Sequence, residues 1–332
     1  MTINKIGVLG AGAWGTALAS MARRAGRDVV LWAHEAEVVT SVNDSQVNAV
    51  YLPDIPLEPG IHATTDVNEA IDADAVLVVT PAQFLRSVTE QCSAGWPDGV
   101  PAVLCSKGIE QGTLQMMNEV AAETLPQAPV AVLSGPTFAA EVARDQPAAA
   151  TLAVEDEALQ DNLTTALSTS RFRLYKSSDV AGAEVGGVVK NVLAIACGIS
   201  EGRNLGDNAR AALITRGLAE IARMGRAKGG RTETFMGLSG LGDLTLTCNA
   251  MQSRNFSLGV ALGQGEKLTD ILNSRLSVAE GVFSAEGVVQ LGNKLGIHMP
   301  ICEAVDAVLN RDADIDDTIS ALLARPQTTE IL

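Results

Sequence analysis

Lys190 is the residue of this chain whose surroundings most need a chemical explanation. It lies in an otherwise apolar helical stretch, residues 188–199, with Val189 before it and Val192 two positions after it. Burial among valines favours the neutral amine, and a lysine in that setting exchanges a proton readily near neutral pH. A lysine at the edge of a helix, with its ammonium reaching solvent, fits the same pattern. The sequence leaves both interpretations open.

Two polar segments follow apolar runs that have the length of strands. Lys107 comes just after Ala102–Cys105, and Ser134–Thr137 come at the end of the next such run. In a doubly wound sheet the ligand binds at the carboxyl ends of the strands, so we expect both segments to face a ligand. Two later segments, residues 240–248 and 253–255, also combine glycine or small residues with polar side chains and are further candidates.

A glycine-rich turn near the start of the chain predicts a dinucleotide site. Gly10, Gly12 and Gly15 form the pattern GxGxxG between an apolar strand, Ile3–Leu9, and a helical stretch, Ala13–Arg24. Gly10 allows the tight turn, Gly12 lets the backbone approach a pyrophosphate, and Gly15 lets the helix pack against the strand. The start of the helix adds its positive dipole end. The motif alone is weak evidence, but its place between a strand and a helix makes it specific.

The end of the second predicted strand, Asp28–Ala33, bears on which nicotinamide dinucleotide is used. An acidic residue there binds the ribose 2′-hydroxyl of NAD, whereas a cationic or donor residue accepts the 2′-phosphate of NADP. His34 occupies this position and Glu35 follows it. We therefore expect NADPH and NADH both to serve, with NADPH preferred. The alternatives are that His34 is a surface helix-capping residue and that Glu35 holds the ribose hydroxyls of NADH.

The order of predicted elements gives a two-part architecture. Up to about Asp179, apolar strands alternate with helices, and their nearly continuous apolar runs are typical of a parallel sheet covered on both faces. Beyond it, alanine- and leucine-rich helical stretches are separated by glycine-rich segments. The sequence therefore predicts an α/β Rossmann domain with a doubly wound, mostly parallel sheet over residues 1–179. An all-α domain over residues 180–332 is expected to bind the substrate and carry the catalysis.

Composition narrows the classes of partner and compartment. The chain has 24 Lys and Arg against 39 Asp and Glu, a net charge of −15, which disfavours nucleic acid and anionic membranes as partners. Its five cysteines include no CxxC pair and its three histidines are isolated, so we expect reduced thiols and no metal site. Neither a signal peptide nor a membrane-spanning segment is expected from the apolar runs. These features together predict a cytoplasmic protein.

Seven motifs, in this order and spacing, resemble those of bacterial NAD(P)-dependent glycerol-3-phosphate dehydrogenase. They span about residues 3–310 and are GAGAWGTALA, SKGIE, SGPTFAAEVA, VGGVVKNVLAIACG, NARAALITRGLAE, GLSGLGDLTLTC and SRN. The resemblance implies reversible reduction of dihydroxyacetone phosphate to sn-glycerol 3-phosphate, the backbone precursor of phospholipids. It implies NADPH or NADH as the cofactor and no metal, and it is compatible with a homodimer.

The resemblance also assigns roles to individual residues. It implies that Lys190 is the catalytic proton donor in reduction and acceptor in oxidation, and that Arg254 binds the phosphate with its forked guanidinium. The implied substrate-binding residues are Lys107, Gly135, Thr137, Lys190, Asp243, Thr247, Ser253, Arg254 and Asn255. The implied cofactor-binding residues are Gly10, Gly12, Ala13, Trp14, Gly15, His34, Lys107, Ala139, Arg254, Val278 and Glu280.

Two departures from the family pattern remove positive charge near the implied phosphate site. Ala140 stands where the family often has a lysine, and residues 256–258 (FSL) follow SRN where basic residues are common. Both bear on the strength of anion binding and leave the reaction type unchanged.

Two rival functions are also compatible with a Rossmann domain joined to a helical one. The first is another dehydrogenase, of the hydroxy-acid or 6-phosphogluconate type, which would not be expected to combine GLGDLTLTC with SRN. The second is a dinucleotide sensor without enzymatic activity, which would not need Lys190 and Asp243 together.

Overall fold

The computed structural model describes residues 2–274, 279–327 and 329–330. They group into two compact units, of which the first comprises Met1–Ser106 and Met116–Val180 and the second Lys107–Gln115 and Ala181–Leu332. The functional division predicted at residue 179 stays a prediction.

The first unit is built around one large sheet. Its strands are β1 (Lys5–Leu9), β2 (Asp28–Trp32), β3 (Val47–Asn48), β4 (Leu52–Pro56), β5 (Ile61–Thr64), β6 (Ala75–Val78), β7 (Ala102–Leu104), β8 (Val130–Ser134), β9 (Ala148–Ala153) and β10 (Phe172–Ser177). Eight of them form the sheet in the order β10-β9-β8-β7-β6-β1-β2-β5, and β3 pairs with β4 in a separate antiparallel ladder.

The strand order of the large sheet is that of a doubly wound fold. The six neighbouring strands β5-β2-β1-β6-β7-β8 are all parallel. From β1 the chain first adds β2 and β5 on one side and then β6, β7 and β8 on the other. Only β9 runs antiparallel to its neighbour β8, and β10 continues parallel to β9. The predicted Rossmann sheet, mostly parallel, is therefore confirmed. The crevice for a ligand in such a sheet lies beyond the carboxyl ends of β1 and β6, where the direction of winding reverses.

Helices pack against this sheet and explain its apolar strands. They are α1 (Ala13–Arg24), α2 (Ala36–Ser45), α3 (Val67–Ile71), α4 (Leu85–Ser93), α5 (Met117–Thr124), α6 (Ala139–Ala143) and α7 (Glu157–Leu167). All four residues of β6 are buried, as are Val8 of β1 and Leu31 of β2. Because both faces of a parallel sheet are covered, its strands are apolar at successive positions instead of alternating.

All regular elements in the described part of the second unit are helical, as predicted. They are α8 (Val180–Gly202), α9 (Asp207–Ala227), α10 (Thr232–Phe235), a π-helical turn (Leu238–Gly242), α11 (Asp243–Thr247), α12 (Arg254–Gly263), α13 (Leu268–Asn273), α14 (Glu280–Leu295), α15 (Pro300–Asn310) and α16 (Ile315–Leu323). By length and composition α8 could cross a membrane, but 83% of its most apolar stretch is buried inside the protein. A core helix of a globular domain explains this composition.

Close approach of α8 and α12 positions the residues of the second unit. A Cβ atom built on Gly198 would lie 2.1 Å from the carbonyl oxygen of Phe256, and one built on Gly259 would lie 2.2 Å from that of Ile195. Neither distance is possible for a real side chain, so glycine at both positions is required for the backbones to touch. The contact brings the start of α12 alongside the middle of α8, one to two turns beyond Lys190.

Candidate active site

Lys190 lies within a hydrogen-bonded cluster in the interior of the second unit. Its Nζ donates to Asp243 Oδ1 at 2.7 Å and to Thr247 Oγ1 at 2.8 Å. The Thr247 hydroxyl in turn donates to the main-chain oxygen of Asp243 at 2.6 Å. With Lys190 only 7% exposed, the structure excludes the alternative of a solvent-facing lysine at the helix edge. The ammonium is instead held by two oxygen acceptors from a single short helix.

Lys107 completes the cluster from a distant part of the chain. Its Nζ lies 2.7 Å from Asp243 Oδ2, so the two carboxylate oxygens of Asp243 are shared between two lysines. The Asp243 side chain is 1% exposed and that of Lys107 15%. Two ammonium groups against one carboxylate give the cluster a net charge of +1 when all three are ionised. A buried positive site of this kind attracts an anion or stabilises negative charge that develops during a reaction.

The cluster perturbs the ionisation of its own members. Burial lowers the pKa of Lys190 to about 8, with the charge of Asp243 opposing the decrease and that of Lys107 adding to it. Burial by itself would raise the pKa of the Asp243 carboxyl, but the positive charges of Lys107 and Lys190 outweigh it and hold that pKa below its usual value. Asp243 is therefore a carboxylate at neutral pH, while Lys190 can both give and take a proton there.

The local backbone explains why Asp243 meets Lys190. One turn before Lys190, Gly186 allows the backbone of the π-helical turn to approach α8, since a Cβ there would lie 2.2 Å from the carbonyl oxygen of Ser239. Asp243 follows this turn as the first residue of α11, where the helix dipole favours a negative side chain. Thr247 comes one turn later on the same face and reaches the same ammonium.

The start of α12 provides a second feature, a potential anion site. Ser253 is the N-cap and its Oγ accepts a hydrogen bond from the amide of Phe256 at 3.2 Å. Arg254, the first helical residue, is exposed, whereas Ser253 and Asn255 are buried. Amide groups at a helix start and an arginine beside them suit a phosphate dianion. The Ser253 hydroxyl serves as a cap here, and its predicted contact with substrate stays a prediction.

Asn191 and Asn255 form a buried link that sequence reasoning did not assign. Asn255 Nδ2 donates to Asn191 Oδ1 at 3.0 Å, and Asn255 Oδ1 accepts from the amide of Gly281 at 3.0 Å. The link therefore joins the residue after Lys190, the residue after Arg254 and the first turn of α14. The only sequence signal was an asparagine inside a run of valines, which does not identify its partner.

The glycine-rich turn of the first unit has the geometry that a dinucleotide requires. Gly10 adopts a φ of +111°, and a Cβ on it would lie 3.0 Å from the carbonyl oxygen of Val79. A Cβ on Gly15 would lie 1.8 Å from the carbonyl oxygen of Gly10, which explains the close packing of α1. A Cβ on Gly12 would have no atom within 4 Å, so this position faces open space at the start of α1. The turn thus fits a pyrophosphate laid over Gly12.

The end of β2 carries the residues that bear on cofactor choice. His34 is exposed just beyond the strand. Glu35 is the N-cap residue of α2, and its Oε1 accepts a hydrogen bond from Tyr51 Oη at 2.9 Å. Burial, and then the neighbouring Glu35, raise the pKa of the Tyr51 hydroxyl above its usual value. The Glu35 carboxylate therefore already has a partner, while the imidazole of His34 is open to solvent.

The remaining predicted site residues fall in several places. Ala13 and Trp14 are half-buried in the first turn of α1. Gly135 follows β8 and accepts a hydrogen bond from Thr137 Oγ1 on its carbonyl oxygen at 3.3 Å, and Ala139 is the first residue of α6. Glu280 begins α14, and the predicted contact at Val278 lies outside the described residues.

Hydrogen bonds bring several residues of the predicted set together. Lys107, Lys190, Asp243 and Thr247 meet directly, and Asn255 is tied to the residue next to Lys190. The glycine-rich turn, the end of β2 and the segment after β8 are local features of the first unit. The assigned roles of all these residues stay predictions.

Two family models match the chain. The one described as NAD-dependent glycerol-3-phosphate dehydrogenase N-terminus matches residues 5–160. The one described as NAD-dependent glycerol-3-phosphate dehydrogenase C-terminus matches residues 179–320. Together they cover most of both compact units.

Individual relatives give the same result. A protein named glycerol-3-phosphate dehydrogenase [NAD(P)+] from Parvibaculum lavamentivorans is 57% identical over 330 residues, 99% of each chain. One of the same name from Rhodospirillum rubrum is 58% identical over 329 residues, 99% of this chain and 94% of the other. Among solved structures, glycerol-3-phosphate dehydrogenase from Coxiella burnetii has a TM-score of 0.93 at 39% identity, covering 97% of this chain and 99% of that one.

Proposed function

The chain belongs to the NAD-dependent glycerol-3-phosphate dehydrogenase family, and on that basis we propose that it reduces dihydroxyacetone phosphate to sn-glycerol 3-phosphate, reversibly. The observation that best supports the chemistry is the buried carboxylate of Asp243 held between Lys190 and Lys107. Its product would supply the glycerol backbone of phospholipids.

Lys190 is the proposed acid–base group of the reaction. A bound nicotinamide supplies the hydride that reaches C2 of the substrate. As that carbon is reduced, the oxygen on it gains negative charge, and Lys190 Nζ donates a proton to it to give the hydroxyl. In oxidation the neutral amine takes the proton back from the same hydroxyl. A pKa of about 8 places both forms within reach of neutral pH.

Asp243 and Lys107 are proposed to set the charge of the site. Asp243 keeps Lys190 protonated enough to act as an acid, since its negative charge raises the pKa of that lysine. Lys107 offsets the carboxylate, so the cluster keeps a net positive charge for the developing alkoxide. We also propose that no metal takes part, because these lysines already supply positive charge to the reacting oxygen.

Arg254 and the start of α12 are the proposed phosphate site. Binding of the remote phosphate would position C2, so that part of the binding energy is used to orient the reacting carbon. The exposed Arg254 and the main-chain amide of Asn255 support this role. Phe256–Leu258 add no charge at the start of α12, so Arg254 is expected to contribute most of the electrostatic attraction there.

NAD(P) dependence follows from family membership, and we propose NADPH as the preferred form. The support is the exposed His34 at the end of β2, where it can donate to a 2′-phosphate. Glu35 is engaged by the Tyr51 hydroxyl, which competes with its use as a ligand for the ribose hydroxyls of NADH. Comparing kcat/KM for the two cofactors in the wild type and in His34→Ala tests this. A wild-type preference for NADH that His34→Ala leaves unchanged would instead favour Glu35 as the ribose ligand.

We further propose a cytoplasmic enzyme with no nucleic-acid partner and no membrane insertion. The net charge of −15 and the five cysteines, all free thiols, support this. A homodimer is the assembly to test by light scattering.

The decisive experiment follows the oxidation of NADPH or NADH by absorbance with dihydroxyacetone phosphate as substrate. Wild type is expected to be active, and Lys190→Ala to lose turnover by about 10²–10⁴-fold or more while keeping its affinity for the cofactor. A Lys190→Ala enzyme within a few-fold of the wild-type turnover would contradict the assignment.

A second variant tests the phosphate site separately. Arg254→Ala is expected to raise KM for dihydroxyacetone phosphate far more than for a phosphate-free analogue, because a charge-assisted hydrogen bond contributes about 1.5–3 kcal/mol. Equal losses on both substrates would show that Arg254 does not bind the phosphate.

A further inference from the structure

Asn48 lies directly behind the glycine-rich turn of the first unit. It is the last residue of β3 and is 0% exposed. Its Nδ2 donates to the carbonyl oxygen of Ala11 at 2.8 Å and to Thr16 Oγ1 at 2.8 Å. The Thr16 hydroxyl also donates to the Ala11 carbonyl, at 3.2 Å. One main-chain oxygen in the middle of GxGxxG therefore accepts two buried hydrogen bonds.

The orientation of the Asn48 carboxamide is fixed by its third partner. Its Oδ1 accepts from the amide of Tyr51 at 3.0 Å. A flipped carboxamide would set an oxygen against the Ala11 carbonyl and an NH₂ group against the Tyr51 amide, so only one orientation satisfies all partners. The side chain therefore acts as a directed donor toward the turn.

The direction of the Ala11 carbonyl determines where the next amide points. The described residues contain no cis peptide bond, and in a trans peptide the C=O and the following N–H point in opposite directions. Asn48 and Thr16 hold the Ala11 carbonyl toward the interior. The N–H of Gly12 is thus turned the other way, toward the side on which a Cβ of Gly12 would meet no atom within 4 Å.

We propose that Asn48 is a positioning residue for the cofactor, which aims the Gly12 amide at the diphosphate through the Ala11 carbonyl. Thr16 supports it as the second donor. The inference rests on the proposed use of a nicotinamide dinucleotide and adds to it a residue outside the GxGxxG motif. Asn48 touches no part of the ligand in this role. Its loss should weaken binding of the diphosphate and leave recognition of the adenosine end unchanged.

The test compares three ligands by isothermal titration calorimetry. NADPH and 2′-phospho-ADP-ribose contain the diphosphate, whereas adenosine 2′-monophosphate lacks it. For Asn48→Leu we expect Kd to rise about tenfold for the first two and to stay within about twofold for the third, as one oriented hydrogen bond to a charged group is worth about that factor. Thr16→Val should change Kd in the same direction by less, and Thr16→Ser should restore it.

A matched control separates positioning from general loss of stability. Thr89 is a buried residue of α4 whose hydroxyl pairs with that of Thr124 at 2.8 Å and donates to Leu85, remote in sequence from the glycine-rich turn. Thr89→Val should lower the melting temperature without any difference among the three ligands.

Four results would overturn the inference or its premise. Equal weakening of all three ligands in Asn48→Leu would mean a purely structural role, and unchanged Kd values would mean no role in binding. If Asn48→Leu does not fold, Thr16→Val is the variant that tests the proposal. An equal rise of Kd for all three ligands in Thr16→Val would count against it. Failure of wild type to bind any dinucleotide would instead reject the proposed function.

Discussion

Replacing Asp243 by Asn is the most informative perturbation of the active site. The variant keeps the size of the side chain but removes the carboxylate whose two oxygens contact Lys190 and Lys107. Two unit charges about 4 Å apart attract by about 4 kcal/mol at an effective dielectric constant of about 20. Since one pKa unit corresponds to about 1.4 kcal/mol, the pKa of Lys190 should fall by about one to three units.

The sign of this change predicts the pH profile. Reduction needs the ammonium form of Lys190, so wild-type kcat/KM should decline as pH rises through about 8. Oxidation needs the neutral amine and should increase over the same range. In Asp243→Asn the decline of kcat/KM in reduction and its increase in oxidation should both move to lower pH. With a shift of about two units, near pH 8 the active form in reduction falls from about half of the enzyme to about one hundredth.

The assay is the pH dependence of kcat/KM in both directions, with thermal unfolding to establish that the variant is folded. Thr247→Val is the matched control, because it removes a hydrogen bond to Lys190 without removing a charge. It should lower the rate but leave nearly unchanged the pH at which kcat/KM declines in reduction and increases in oxidation. If Asp243→Asn loses activity equally at every pH, the argument that Asp243 tunes Lys190 is refuted.

Three further predictions test local geometry and burial. Gly12→Ala should preserve stability but weaken dinucleotide binding at least tenfold, because its Cβ would occupy the open space that the pyrophosphate needs. Gly15→Ala should instead destabilise the apoprotein, because its Cβ would lie 1.8 Å from a carbonyl oxygen. Calorimetry of both variants checks these two outcomes. Gly259→Ala should lower the melting temperature and raise KM for the phosphorylated substrate. Gly287→Ala is the control, because its Cβ would meet its nearest atom at 3.4 Å, and it should be neutral or stabilise the protein by about 0.5–1 kcal/mol. A similar loss of thermal stability in both variants would contradict the packing argument. Burial raises the pKa of Glu220 to about 6, so the stability contributed by its protonated form is complete below about pH 4.5 and is lost as pH rises through about 6. Relative to Glu220→Gln, wild type should therefore gain about 2 kcal/mol in the free energy of unfolding on acidification. Parallel pH curves for the two proteins in denaturant titrations would rule this out.

The Rossmann domain could be predicted because its signals are local. The turn GxGxxG needs glycine for reasons that act within a few residues, and helix α1 occupies the predicted range Ala13–Arg24. The predicted strands were found within a few residues of their expected ends for the same reason. Strand β9, AAATLA, was not singled out, because alanine favours helices and its strand form depends on pairing with β8 and β10.

The chemistry at Lys190 depended on residues that are far apart in the sequence. An apolar helix with one lysine left burial and exposure equally open. The structure settled the question, because Asp243 lies 53 positions from Lys190 and 136 from Lys107 and yet contacts both. Asn48 is a similar case, since nothing near it in the chain identifies Ala11 as its partner. Sequence alone thus determined which residue types were available at each local turn or helix. Chain packing decided which charges became neighbours and how far burial changed their pKa values. These two properties depend on distances between elements, and no local pattern encodes those distances.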